Sequence, residues 1–156
     1  MALTTVDHSA LKVNQTGIIV TVLVAFFGSW AVYRPLLVLI PLLAVVLLLG
    51  TFAPQLALFK QLYFKVLKPT GIVKPRPVQD RPEPHNFAQG LGGVFLAISS
   101  ILIFLPVDAR TALVTVALGL AIALLVAALA FVNLAFGYCL GCQIYYQLGK
   151  RGLIRA

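Results

Sequence analysis

Two cysteines stand three positions apart near the end of the sequence, in the segment Cys139-Leu140-Gly141-Cys142. C-x-x-C at a helix start is the arrangement of thiol–disulfide oxidoreductases, where helix N-terminal amides stabilise a thiolate and the second cysteine resolves the mixed disulfide. Gly137 and Gly141 suit this geometry, because glycine permits a chain break before the motif and close backbone approach within it. The spacing predicts Cys139 as the nucleophile and Cys142 as the resolving thiol. In the cytosol we expect the pair to be mainly reduced.

Two other interpretations of the cysteines stay open. Buried cysteines act as small packing residues in many proteins. Alternatively, Cys139 and Cys142 could join His8 and His85, the two histidines of the chain, in a Cys2His2 metal site. Both histidines stand in polar or proline-rich segments, where lone histidines are usually solvated. A covalent c-type haem is excluded because Gln143 occupies the place of the required histidine, and no cofactor is predicted.

The elements around the motif are apolar. The chain is 61% hydrophobic and 10% charged, with a mean hydropathy of +1.02, which excludes a soluble globular domain. Four segments are long and apolar enough to span a bilayer as helices, at residues 16–33, 35–53, 87–105 and 111–134. Pro41 inside the second segment predicts a kink or a late helix start. The expected fold class is an all-α membrane protein with four transmembrane helices and juxtamembrane amphipathic helices.

The last apolar stretch is too long for one crossing. Residues 111–149 contain no Asp, Glu, Lys or Arg, and as one helix they would extend roughly 58 Å. The hydrocarbon core of a bilayer is only about 30 Å thick. We therefore predict a break between Asn133 and Cys139, which leaves the cysteines near the membrane interface.

The basic residues predict the orientation. Of the twelve Lys and Arg residues, all except Arg34 and Arg110 fall on one side of a four-span arrangement. This bias places both termini and the central loop in the cytoplasm. The first apolar segment, which follows a polar start, is interpreted as a retained anchor. The net charge of +8 lies where lipid headgroups would meet it, so we expect no nucleic-acid partner. Ionisable residues that would mark an ion path are missing from the spans, which argues against transport.

The two halves resemble one another, which predicts an internal duplication within a single membrane domain of residues 1–156. Gln61, Tyr63 and Lys68 align with Gln143, Tyr145 and Lys150 at one constant offset. The first hairpin repeat with its interfacial helix covers residues 1–68, and the second repeat with the C-x-x-C segment covers 87–156. Residues 69–86 are expected to form a proline-rich cytoplasmic linker. Because each repeat has two spans, the copies would be parallel and related by a pseudo-two-fold axis along the membrane normal.

Three sequence blocks resemble those of a bacterial membrane family catalogued as domain of unknown function 4395. The blocks are residues 7–15, residues 81–90 and residues 133–145, the last containing Phe-Gly-Tyr-Cys-Leu-Gly-Cys-Gln. The resemblance covers nearly the whole chain. It implies a small multi-span protein of the bacterial inner membrane, whose relatives look linked to thioredoxin-like or sulfurtransferase proteins.

Two functional hypotheses follow. In the first, a membrane dithiol exchanges electrons or sulfane sulfur with a cytoplasmic thioredoxin-like or sulfurtransferase protein. In the second, the chain is a non-enzymatic accessory subunit that packs against another membrane protein and whose cysteines are structural. Both hypotheses require contact with the lipid bilayer.

Overall fold

The computed structural model describes residues 4–31, 34–53, 55, 57–71, 73–105 and 108–152, and in these residues the chain is mostly helical. The six α-helices are α1 (His8–Ala31), α2 (Leu39–Phe52), α3 (Leu58–Leu62), α4 (Pro82–Phe104), α5 (Ala109–Phe136) and α6 (Leu140–Lys150). The two strands are β1 (Thr4–Asp7) and β2 (Pro77–Asp80). A 3-10 turn (Arg34–Val38) leads into α2, and a π-helical turn (Tyr63–Leu67) continues α3.

Helices α1, α4 and α5, and α2 together with the 3-10 turn before it, confirm the four predicted spans. Each of these four segments is long and apolar enough to cross a membrane. Large apolar side chains on their outer faces are exposed in the isolated chain, such as Val24 and Leu113. In a membrane protein these faces contact the lipid.

Two helices begin earlier than the sequence predicted. Helix α1 starts at His8, because the Asp7 carboxylate accepts the Ser9 N–H at 3.0 Å and so satisfies one free amide of the first turn. Helix α4 starts at Pro82, where the missing N–H of proline removes no helical hydrogen bond. The predicted linker of residues 69–86 was therefore wrong at its end, since residues 82–86 are helical.

The predicted effect of Pro41 is confirmed as a late helix start. The 3-10 turn occupies the beginning of the second span and α2 begins at Leu39, so Pro41 lies in its first turn. Tyr33, Pro106 and Val107, which stand between predicted spans or at their ends, lie outside the described residues.

The core forms where small residues let the helices approach closely. Helix α4 packs against α2 and α5, and α1 packs against α5. At one crossing the buried Ser99 hydroxyl donates to the Gly119 carbonyl oxygen at 2.7 Å. The two helices of each hairpin run antiparallel. The starts of α1 and α4 therefore lie at the same end of the bundle as the ends of α2 and α5.

Strands β1 and β2 join the N-terminal segment to the proline-rich segment at that end. They pair antiparallel, with Thr4 opposite Asp80 and Asp7 opposite Pro77. The Ser9 hydroxyl adds a 2.7 Å hydrogen bond to the Lys74 carbonyl oxygen. Part of the predicted linker, Pro77–Asp80, is therefore paired with the chain start.

The interfacial helix predicted at the end of the first repeat forms α3 and the π-helical turn after it. Of its apolar positions, Phe59 packs on α1 where Gly17 leaves no room for a Cβ atom, and Tyr63 is fully buried. Val66 is exposed, whereas Leu56 lies outside the described residues. Phe59 and Tyr63 therefore hold this segment against the bundle, not only against lipid.

Candidate thiol site

The chain breaks between α5 and α6 as predicted. Helix α5 ends at Phe136, and Gly137 adopts a left-handed conformation with φ of 68°. Its N–H donates to the Asn133 carbonyl oxygen at 3.0 Å, which closes the helix. Residues 137–139 are not helical, and α6 begins at Leu140. The new helix therefore starts beside the first cysteine.

Cys139 and Cys142 are joined in a disulfide, with their Cα atoms 5.2 Å apart. Cys139 is the N-cap residue of α6, and its Sγ accepts the Cys142 N–H at 3.2 Å. Cys139 is partly exposed, whereas Cys142 is only 8% exposed. The two sulfurs thus have different environments: one is accessible beside a helix N-terminus, and the other is buried.

The buried sulfur lies beside His85, near the start of α4. Helix α6 packs closely on α4, because Gly141 sits against the backbone of Ala88. This contact places Cys142 Sγ 3.7 Å from His85 Nδ1. Phe87 and Tyr145 stack across the same helix pair, with ring centroids 5.5 Å apart.

Asp80 holds the other side of the His85 ring. Its Oδ2 lies 3.0 Å from His85 Nε2. This hydrogen bond with His85 holds the pKa of Asp80 below its ordinary value, in spite of the opposing effect of burial. An ionised carboxylate only accepts hydrogen bonds, so Nε2 of His85 carries the proton in this pair. In the neutral imidazole, Nδ1 then presents its lone pair to Cys142.

His8 contacts the same carboxylate from the start of α1. Its Nε2 lies 3.4 Å from Asp80 Oδ2, and its ring meets that of His85 edge-on, with centroids 6.1 Å apart. Neither histidine is simply solvated, contrary to the expectation from their polar and proline-rich surroundings. Both histidines instead contact Asp80, which precedes the start of α4.

Of the four residues considered as metal ligands, three converge. The donor atoms of His85, Cys139 and Cys142 all lie within 4.8 Å of one another. His8 belongs instead to a neighbouring group with Asp80 and His85. The structure thus favours a three-ligand set over the Cys2His2 set.

A family model matches residues 6–150, a range that includes both cysteines and both histidines. The chain belongs to the family described as Domain of unknown function (DUF4395). Neither the curated proteins nor the solved structures contain a match to this chain.

In this DUF4395 chain, two adjoining cavities meet at Cys139. One, of about 100 Å³, is the cleft at the bundle end, and its lining includes His8, Lys12, His85 and Gly137. The other, of about 90 Å³, continues between the helices toward Leu47 and Phe95. Four amide side chains line both, namely Asn14, Gln15, Gln89 and Asn133. The more exposed sulfur is therefore accessible to a reactant at the bundle end.

Sequence reasoning missed Asp80. Asp80 stands within the predicted linker, and its place beside His8 depends on contact between segments far apart in the chain. An Asp five residues before a His is not a recognisable motif. The only local signal is Pro82, which marks a helix start between the two residues.

Proposed function

We propose that this protein performs thiol–disulfide exchange between Cys139–Cys142 and a soluble thioredoxin-like protein, on the membrane side that carries most of the basic residues. We propose that this side is cytoplasmic, because of the charge bias. The observation that carries the proposal is the asymmetry of the pair. Cys139 is accessible at a helix N-terminus, and Cys142 is buried beside the Nδ1 lone pair of His85.

The reductive direction begins with a thiolate of the partner. It attacks Cys139 Sγ, the S–S bond breaks, and Cys142 leaves as a thiolate. The second thiol of the partner, as its thiolate, then attacks the partner sulfur of the mixed disulfide and releases Cys139. Two electrons pass from the partner to the pair, and the partner becomes a disulfide.

The oxidative direction uses His85. Cys139 as a thiolate attacks one sulfur of the partner disulfide and forms the mixed disulfide, while the S–S bond of the partner breaks and its other cysteine leaves as a thiolate. Cys142 transfers its proton to His85 Nδ1 and attacks Cys139 Sγ, which expels the thiolate of the partner. Asp80 positions His85 for this step, because its hydrogen bond to Nε2 leaves Nδ1 free to accept.

Trapping tests the proposal. The oxidised protein, in lipid nanodiscs with EDTA, is mixed with a reduced thioredoxin whose resolving cysteine is replaced by serine. We expect a mixed disulfide that fragment-ion mass spectrometry assigns to Cys139. No adduct, or an adduct mainly on Cys142, would refute the proposed roles.

A second experiment tests His85. His85→Gln should slow closure of the pair about 100-fold or more, the ordinary size of a general-base effect. The first attack, by Cys139, should keep its rate, so the mixed disulfide accumulates. His8→Gln is the matched control, because His8 contacts Asp80 but not a sulfur, and it should close the disulfide at the wild-type rate. Unchanged closure in His85→Gln would remove the base from the mechanism.

The competing role is an accessory subunit with structural cysteines. It requires that Cys139→Ser/Cys142→Ser retains full function and that no thiol partner is trapped. A sulfur relay would differ from both roles, because a sulfurtransferase would leave a persulfide on Cys139.

A further inference from the structure

We propose that the reduced form of this site binds a zinc ion through Cys139 Sγ, Cys142 Sγ and His85 Nδ1. This inference goes beyond thiol exchange, because it gives the same side chains a second state that does not depend on a protein partner. It starts from the convergence of the three donor atoms within 4.8 Å of one another.

The separation of two donors already suits one metal ion. Zinc binds thiolate sulfur at about 2.3 Å and imidazole nitrogen at about 2.0 Å in tetrahedral geometry, so the two donors stand about 3.6 Å apart. Cys142 Sγ and His85 Nδ1 are 3.7 Å apart. This half of the site therefore needs no rearrangement.

Asp80 supplies the outer support that metal-binding histidines usually have. Ligating imidazoles donate their second N–H to a carboxylate or carbonyl, which fixes the ring and the tautomer. His85 Nε2 makes this contact with Asp80 Oδ2 at 3.0 Å. The lone pair of Nδ1 is consequently on the side of Cys142, where a zinc ion shared by the two residues would lie.

The two cysteines provide the remaining donors only after reduction. C-x-x-C is the common spacing of two thiolates on one structural zinc. Two thiolates that bind one zinc ion stand about 3.8 Å apart in tetrahedral geometry. Sulfurs joined in a disulfide are much closer together, so they cannot act as two separate zinc ligands. Zinc and the disulfide therefore exclude one another at this site.

The fourth coordination position remains open. Cys139 and His85 both line the cleft of about 100 Å³ at the bundle end, and His8 lies beyond Asp80, outside the donor group. Water fills the fourth position in zinc sites with three protein ligands. A bound zinc would thus hold both thiols out of exchange until it is removed.

The test uses the full-length protein in detergent. One sample is reduced and freed of metal, and the other is kept as the disulfide. Zinc alone is added to each, and binding is measured by competition with a chromophoric chelator and by metal analysis after gel filtration. We expect about one zinc per chain in the reduced protein and almost none in the disulfide form.

Variants separate binding from folding. His85→Ala should abolish stoichiometric binding, and Asp80→Asn should weaken affinity about 10- to 100-fold through the lost support. His8→Ala is the matched histidine control and should bind as the wild type does. Each variant is checked for the final extent of disulfide re-formation, not its rate, because loss of His85 is itself expected to slow closure; complete re-formation shows that α6 still holds both cysteines in place.

Three results would overturn the inference: no zinc on the reduced protein, wild-type affinity in His85→Ala, or loss of binding in His8→Ala. The thiol-exchange experiments contain EDTA, so the two proposals can fail separately. Trapping at Cys139 without zinc binding would leave only the exchange function.

Discussion

Cys142 Sγ lies 3.7 Å from His85 Nδ1, although the two residues are 57 positions apart in the chain. One stands in the first turn of α6 and the other near the start of α4. Their distance is therefore set by how closely these two helices pack. Gly141 is the residue that permits this packing, because a Cβ atom there would lie 2.6 Å from Ala88 Cβ and 2.8 Å from Ala88 Cα.

Replacing Gly141 by alanine should push α6 away from α4. Backbone cannot yield as a flexible side chain does, so we expect a loss of about 1–3 kcal/mol in the free energy of unfolding. Cys142 should also move away from His85, and the disulfide should re-form several-fold more slowly. Unfolding in detergent and stopped-flow reoxidation measure the two effects.

Gly92→Ala is the control for that change. It also lies in an α-helix of the bundle, but an added Cβ would meet its nearest atoms at 3.8 and 3.9 Å, which is ordinary contact. We expect stability and closure near the wild-type values. Equal effects of the two substitutions would show that the Gly141 contact does not set the position of Cys142.

The two thiols should differ in reactivity once the disulfide is reduced. Cys139 is more exposed and its Sγ accepts a hydrogen bond from the Cys142 N–H, whereas Cys142 is buried in α6. Iodoacetamide added to the reduced, EDTA-treated protein should alkylate Cys139 at least about 10-fold faster, because a thiolate near free helix amides is favoured. Peptide mass spectrometry resolves the two sites. Equal and slow alkylation of both would support cysteines that serve only in packing.

Much of the fold could be predicted because its causes are local. The uncharged length of residues 111–149 exceeds one bilayer, and the break falls at Gly137 as that length demands. The Cys139–His85–Asp80 neighbourhood could not be predicted in the same way. It depends on how closely α6 packs on α4 and on the hydrogen bond between Asp80 and His85 at the start of α4. The early helix start at Pro82 was missed because prolines also mark extended linkers.

The predicted duplication fits the helix contacts but stays a prediction. Helices α3 and α6 begin at Leu58 and Leu140, which correspond at the same offset that aligns Tyr63 with Tyr145. The contacts between halves, α2 with α4 and α1 with α5, would exchange under a two-fold axis. Superposition of the two halves tests it, and inverted halves would contradict it.

Labelling tests which end of the bundle faces the cytoplasm. In a Cys139→Ser/Cys142→Ser background, Lys74→Cys and Arg34→Cys place single thiols at exposed positions on opposite ends. A membrane-impermeant maleimide added to intact cells, after removal of any outer envelope barrier, should label Arg34→Cys only. In permeabilised cells both should react. Labelling of Lys74→Cys from outside would reverse the proposed orientation and the side on which the thiol partner acts.

Asp7 ties three segments together at the site end of the bundle. Its carboxylate accepts the Tyr63 O–H at 2.8 Å, the Arg76 N–H at 3.1 Å and the Ser9 N–H at 3.0 Å. Tyr63 is fully buried, so Tyr63→Phe should lower the free energy of unfolding by about 1 kcal/mol or more through the lost bond to a charged acceptor. Tyr138→Phe, at a half-exposed tyrosine, is the control and should change little.

The same carboxylate predicts a pH dependence of stability. Burial alone would raise the pKa of Asp7, but the hydrogen bonds from Tyr63, Arg76 and Ser9 together hold it below the ordinary value. A carboxyl with a lowered folded pKa stabilises the protein fully above its unfolded pKa of about 3.9, and this stability is lost as the pH falls through the folded pKa.

Asp7→Asn should therefore be less stable than the wild type by about 1 kcal/mol at neutral pH. The difference should shrink as the pH falls below about 4, because the wild-type carboxyl then becomes neutral as well. Unfolding in detergent across this range measures the difference, and the other carboxyl groups cancel because both proteins contain them. A difference that stays constant or widens toward low pH would show that Asp7 is not held as a carboxylate by these three donors.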